Sequence, residues 1–294
     1  MNQCKSIIFG ADGQDGYYLR KCCEARHLSV TGLALSHNDD CLAGDVSDFQ
    51  IVEAFVRDGQ PEYVFHLAAI STTRHEALFE NHAAISTGTL NILEAVRRHR
   101  PECRVFITGS GVQFENTGKP ISEKDPFAAT SAYAVARIQS AYAARYYRQL
   151  GVKAYVGYLF HHESALRKST HLCKMIAEAV KRINQGSTER IRLGDISVKK
   201  EAAFAGDIVE GIFTLVSQND VFEATIGSGL AYSIQDWLEI CFSKIGRNWQ
   251  EFVDLVPDGF AAEYRTLVSD PSTINALGWH PKVGLDALAE MMLK

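Results

Sequence analysis

The sequence predicts an α/β protein, a doubly wound parallel sheet with a smaller C-terminal α/β lobe, and three observations lead there. Short β-branched or aromatic runs alternate with longer segments of helical periodicity, the rhythm of parallel strands joined by crossover helices. The stretches "CRVFITGS" (103–110) and "KAYVGYLF" (153–160) are apolar on both faces, as strands covered by helices on both sides must be. A glycine-rich turn, "FGADGQDG" (9–16), follows the first strand and opens a helix.

Taken in order, "KSIIFG" (5–10) is a buried strand and "QDGYYLRKCCEARHL" (14–28) a helix. "SVTGLAL" (29–35) is the second strand, "FQIVEAFVRDG" (49–59) a helix and "EYVFHLAA" (62–69) another clear strand. "STGTLNILEAVRRHR" (86–100) carries apolar residues at helical spacing ahead of the two central strands. Beyond about residue 160 the rhythm loosens. Helical "LCKMIAEAVKRINQG" (172–186), short strands near "RIRLG" (190–194) and "FEATIG" (222–227), and the helix "SIQDWLEICFSKIG" (233–246) follow, the last with Ser233 and Asp236 placed for a capping box. The division this suggests is a nucleotide-binding domain over 1–160 and a substrate lobe over 161–294, with residues of about 204–228 returning to the main sheet.

With 294 residues, 46% of them hydrophobic, the chain can bury one large core, or a main domain with a smaller one leaning on it. A formal charge of −5 without runs of lysine or arginine argues against a nucleic-acid or membrane surface; "RRHR" (97–100) reads as a solvated helix end. Seven cysteines at irregular spacing, with no C-x-x-C pair, suit reduced thiols and a cytoplasmic protein. The N-terminal "MNQCKSIIFGADG" shows no signal-peptide pattern, and no apolar run approaches membrane-spanning length. The pair His161–His162 lacks a third ligand at metal-like spacing, so no metal is expected.

Glycines at 10, 13 and 16, with Gln14 and Asp15 between the last two, let backbone approach a pyrophosphate, whose charge meets the amides and dipole at the helix start. Read alone, G-x-x-G-x-x-G also fits an ordinary tight turn; its place after the first strand of a βαβ series favours a dinucleotide. At the end of the second strand an acidic residue favours NAD and an arginine NADP. The chain reads "LALSHN" (33–38), with neither, so Ser36 and His37 are ribose partners or plain loop residues and the cofactor is NADP or NAD. Asp45, beside Val46 in "AGDVSD" (43–48), meets an adenine amino group or is a solvated turn aspartate.

Ser110 ends the strand "VFITGS", Tyr133 follows some twenty residues on, and Arg137 lies one helical turn beyond, on the same helix face. With the glycine turn and "HLAA" (66–69), this constellation resembles the extended short-chain dehydrogenase/reductase family of Rossmann-type proteins. Within it, "GADGQDGYYL" (10–19), "SAYAVARIQSAY" (131–142), "LFHHESALR" (159–167), "LGDISVKKEAAFAGDIVEG" (193–211) and "SDPSTINALGWHPKVG" (269–284) resemble the GDP-mannose 4,6-dehydratases and their relatives. The resemblance covers nearly the whole chain. It implies that Tyr133 is an acid/base toward a sugar hydroxyl or ketone and that Ser110 hydrogen-bonds the same oxygen. It also implies cofactor contacts from Leu67, Ala68, Ala69 and Phe160. On the substrate side it points to Ser71, Val112, His161, Glu163 and Ser164, to the cations Arg167, Lys174 and Lys200, and to Glu263, which matches a ribose-contacting glutamate. Members of this fold often pair through the helix carrying the tyrosine and the one before it, so a homodimer is expected.

Two departures shape the functional expectation. Arg137 stands where lysine is usual; it supplies the positive charge that favours an ionised phenol and can hold a ribose, but it is not deprotonated and cannot pass a proton on. The dehydratases carry, two residues after the catalytic hydroxyl, a glutamate that removes the C5 proton. Here that position is Val112, which does no base chemistry, and Glu115 lies three residues further. On the substrate side, His161 replaces an asparagine and Phe260 an arginine. The expected activity is therefore reduction of a GDP-linked 4-keto-6-deoxy sugar. The alternatives are an epimerase, 4-dehydrogenase or 4,6-dehydratase with tightly bound cofactor, and a cofactor-binding homologue without catalysis.

Overall fold

The computed structural model describes residues 5–37, 41–256 and 264–294. Through the first half the elements run β1 (Lys5–Phe9), α1 (Gln14–Glu24), β2 (Ser29–Ala34), β3 (Leu42–Ala43), α2 (Phe49–Gly59), β4 (Tyr63–His66), α3 (Leu78–Asn81), α4 (Gly88–His99), β5 (Arg104–Ser110), α5 (Ala132–Gln149) and β6 (Lys153–Leu159). The second half adds β7 (His162–Glu163), α6 (Leu172–Asn184), β8 (Ile191–Leu193), β9 (Lys199–Glu201), β10 (Ala203–Phe204), α7 (Ala205–Val216) and β11 (Glu223–Ile226). It closes with β12 (Ala231–Ser233), α8 (Ile234–Ser243), β13 (Val253–Leu255), β14 (Thr266–Leu267), α9 (Ser272–Ala276) and α10 (Leu285–Leu293).

Seven strands form one parallel sheet in the order β3-β2-β1-β4-β5-β6-β11. The doubly wound fold expected from the alternating pattern is therefore present. Apolar residues of α2, α4 and α5 cover one face, those of α1 and α7 the other, and the β11 strand returns from the second half to the sheet edge beside β6. Strand order reverses at β1, whose neighbours are β2 and β4, and in such sheets ligands bind outside the carboxyl ends of the strands at that point. A third core, built from α6, α8, α10 and small strand pairs, holds the lobe together. The capping box read from "SIQD" forms: Ser233 Oγ accepts from the Asp236 amide at 3.0 Å and Asp236 Oδ2 from the Ser233 amide at 2.7 Å.

Two local features depart from the sequence pattern. The strand read over "EYVFHLAA" stops at His66, and the residues after it run on as irregular chain. The helix read from residue 86 is entered through a π-helical turn over His82–Thr87. Its Ile85 carbonyl meets both His66 Nε2 (3.3 Å) and Ser140 Oγ (3.2 Å), fastening α5 to the sheet.

The C-terminal end of α5 is fastened by charge. Glu223, the first residue of β11, accepts from Arg145 Nε at 2.9 Å, from Tyr158 Oη at 2.7 Å and from Arg148. Burial works against its ionised form, but these donors prevail and hold the carboxyl down at about 2. Helix α5 is thus pinned at its middle and at its C-terminal end.

Candidate active site

The carboxyl ends of β4, β5 and β6 open into a cleft of about 720 Å³ that extends to the lobe. Ser110, Tyr133 and Arg137 all line it. Ser110 caps a 3₁₀ turn over Gly111–Gln113: its amide donates to Gln113 Oε1 at 2.8 Å, and its Oγ accepts from the Val112 amide at 3.5 Å. Helix α5 starts just ahead of Tyr133 because Ser131 accepts from the Ala134 amide at 3.1 Å, which satisfies one of its orphan donors. Arg137 is 2% exposed, lies with its guanidinium carbon 5.0 Å from the Tyr133 ring centre, and donates to the Thr108 carbonyl at 2.6 Å. It therefore brings a positive charge against the face of the Tyr133 ring. Beneath it, burial and then the Arg137 charge push His66 down to about 3, so His66 is a neutral ring.

The glycine turn is built for close approach. Gly10 has φ +84°, and a Cβ there would stand 2.6 Å from the Ala68 amide nitrogen; one at Gly16 would meet the Ala11 backbone at 2.6 Å. Gly13 is the N-cap of α1 and offers no side-chain cap, which leaves first-turn amides for an anion. These features fit a dinucleotide pyrophosphate. Leu67, Ala69 and Phe160 line the cleft and Ala68 backs the turn. Ser36 and Asp45 are exposed, away from the cleft; Asp45 accepts from Ser47, and Val46 is buried under α4.

The side chains of Gln14 and Asp15 face inward. Gln14 Oε1 accepts from Ser164 Oγ at 2.8 Å, and Asp15 sits 2.9 Å from His162 Nε2, whose Nδ1 meets the Phe160 carbonyl at 2.7 Å. Burial opposes both charges, yet their mutual attraction lowers Asp15 to about 2 and raises His162 above 6.5. The carboxylate stabilises the fold above its unfolded value of 3.8 and that gain fades as pH falls toward 2. The histidine stabilises it below 6.5, a gain lost as pH rises through its folded value. Thermal midpoints of the wild type and Asp15→Asn are thus expected to differ most between about pH 4 and 6.5, and to converge above that window. A constant difference across the alkaline limb would remove the ion pair as its cause.

Ser71, Val112, His161, Glu163, Arg167 and Lys200 also line the cleft. Glu163 is 1% exposed, 3.7 Å from Arg167. Three substrate expectations need correction or fall elsewhere. Lys174 is turned away from the cleft, with Nζ on the Ala165 carbonyl at 2.8 Å and near Glu178, because its position on α6 faces the loop before the helix. Ser164 is fully buried against Gln14 and does not line the cleft. Glu263, like Phe260, lies outside the described residues. Conversely, His171, Arg192, Tyr264 and the stretch Thr72–Arg74 line the cleft without having been singled out. Only Arg192 had a signal, as the outward residue of the short strand "RIRLG". Burial, followed by Arg167 and Lys200, lowers His171 to about 4.

Sheet order, glycine turn and the placement of Ser110 and Tyr133 on one cleft together agree with the extended short-chain dehydrogenase/reductase class. Solved structures agree on the fold: RMD from Pseudomonas aeruginosa, complexed with NADPH, superposes with a TM-score of 0.84 at 20% identity, covering 99% of this chain and 96% of that one. UDP-glucose 4-epimerase from Thermus thermophilus, in complex with NAD, gives 0.84 at 19% identity over 98% and 97%. The chain belongs to the GDP-mannose 4,6 dehydratase family, whose family model matches residues 7–292. Among curated relatives, GDP-mannose 4,6 dehydratase 1 of Arabidopsis thaliana is 29% identical over 98% of this chain and 88% of its own length.

Among the described residues, no helix is long and apolar enough to cross a membrane.

Proposed function

We propose that the protein reduces the C4 ketone of a GDP-linked 4-keto-6-deoxy sugar, using NADP or NAD in reduced form. The observation that carries this reading is Val112. The 3₁₀ turn puts its side chain in the cleft two residues beyond Ser110, while Glu115, the nearest acid on that loop, is exposed and outside the cleft. Of the acids that line the cleft, Asp15 is paired with His162 and Asp195 with Ser197, while Glu163 lies 3.7 Å from Arg167 with its Oε2 making no hydrogen bond, on the strand after β6 and not on the Ser110 loop. A site with a proton donor for C4 and no base at the loop position suits reduction better than water loss at C5–C6.

When bound, the nicotinamide supplies the hydride. Ser110 orients the ketone oxygen by a hydrogen bond, and Tyr133 delivers the proton to that oxygen. Arg137 supports the phenolate left behind, and Tyr133 is recharged from water in the cleft because arginine passes no proton on. Arg167, Arg192 and Lys200 suit a diphosphate by charge. Exposed Leu90 on α4 and Val135, Tyr142 and Tyr146 on α5 support a homodimer through these helices.

The family match favours a second reading, 4,6-dehydration of GDP-mannose itself. Incubation with GDP-4-keto-6-deoxymannose and NADPH or NADH separates the two. Oxidation of the nicotinamide is expected. If none occurs and the enzyme instead makes a 4-keto product from GDP-mannose, the reductase reading falls.

A further inference from the structure

The adjacent histidines after β6 are used in opposite directions. His162 turns back to Asp15, whereas His161 lines the cleft and meets Tyr264 Oη through Nε2 at 3.2 Å, with ring centres 6.1 Å apart. We infer that His161 and Tyr264 form the element that reads the sugar of the substrate, a hydrogen-bonding pair that meets a sugar hydroxyl; the inference rests on the nucleotide-sugar reading above.

Position is the first argument. Ser110 of β5 is in register with Leu159 of β6, and His161 lies two residues further along. Both Ser110 and His161 line the same cleft. His161 is also close enough to Lys200, Arg167 and His171 to feel their charge. It thus stands between the end of the cleft where a carbonyl is reduced and the end where cations would hold a diphosphate, which is where the sugar must lie.

Charge is the second. Burial, then Lys200 and Arg167, keep the ring neutral. A neutral imidazole between cations adds no charge toward a phosphate; what it offers is one donor and one acceptor. Tyr264 engages one ring nitrogen, Nε2, and so holds the orientation of the ring.

Rigidity is the third. The His161 carbonyl accepts from the Ala203 amide at 3.2 Å, and the Tyr264 ring packs on the core beneath the cleft. Neither partner has to be ordered when a ligand arrives, so the contact costs little entropy. Tyr264 acts through His161 and is a positioning residue.

Calorimetric titration of GDP and of GDP-mannose into the wild type, Tyr264→Phe and His161→Asn tests this. The sugar is expected to tighten binding to the wild type, and both variants to lose roughly fivefold to tenfold of that gain, the worth of one hydrogen bond, with GDP affinity held within about twofold. Tyr264→Phe removes only a hydroxyl, so its result stands even where His161→Asn folds poorly. Parallel weakening of GDP and GDP-mannose would mean a phosphate or structural role and overturn the assignment, as would an unchanged ratio. A wild type that binds GDP but gains nothing from the sugar overturns it while leaving the nucleotide reading intact. Binding of neither ligand overturns both.

Discussion

Tyr133→Phe is expected to lower kcat for ketone reduction by about 10²–10⁴-fold, the usual worth of a positioned proton donor. The variant keeps the ring that stacks near Arg137 and loses only the hydroxyl, so folding and GDP-sugar affinity should hardly change. A KM shift at constant kcat would mean that the phenol binds substrate and that the proton comes from elsewhere. In the proposed reaction Ser110 would share the oxygen but not the role, because its hydroxyl is not set against a cation as the Tyr133 ring is against Arg137.

Glu223→Ala carries the largest expected cost in stability. It removes the acceptor shared by Arg145, Arg148 and the fully buried Tyr158. Breaking a buried pair from one side leaves uncompensated charge, at a cost of about 3–5 kcal/mol. Arg145 retains some solvent contact, which places the expected loss toward the lower end. Chemical denaturation measures it directly; a loss below about 1 kcal/mol would show that water replaces the carboxylate. Activity should fall along with stability, since the helix released at its far end carries Tyr133 and Arg137.

Much of this architecture was legible in the sequence because its signals are local. β5 and β6 are apolar on both faces, and their stretches match the observed strands nearly residue for residue. Tyr133 and Arg137 were legible as a pair because one helical turn fixes their relation, whereas Ser110, on another element, joined them through the family resemblance. What stayed hidden depends on facing and on long-range contact. Lys174 is a cation near the right loop, but which way an α6 residue points is decided by packing of the lobe. Tyr264 is separated from His161 by 103 positions, and no periodicity links them. The π turn at His82–Thr87 has a helix-like composition, so its extra residue leaves no mark in the pattern.

The Asp15–His162 contact reaches beyond local stability. Asp15 belongs to the first turn of the helix that would receive a pyrophosphate, and His162 to the strand entering the lobe, directly after the residue assigned to the sugar. Were a dinucleotide to draw in this helix end, the anchor of the substrate wall would move with it. The two ligands then share a free energy of interaction: whatever factor the cofactor adds to sugar-nucleotide affinity, the sugar nucleotide returns to the cofactor. Severing the contact would turn a cooperative pair of sites into two independent ones.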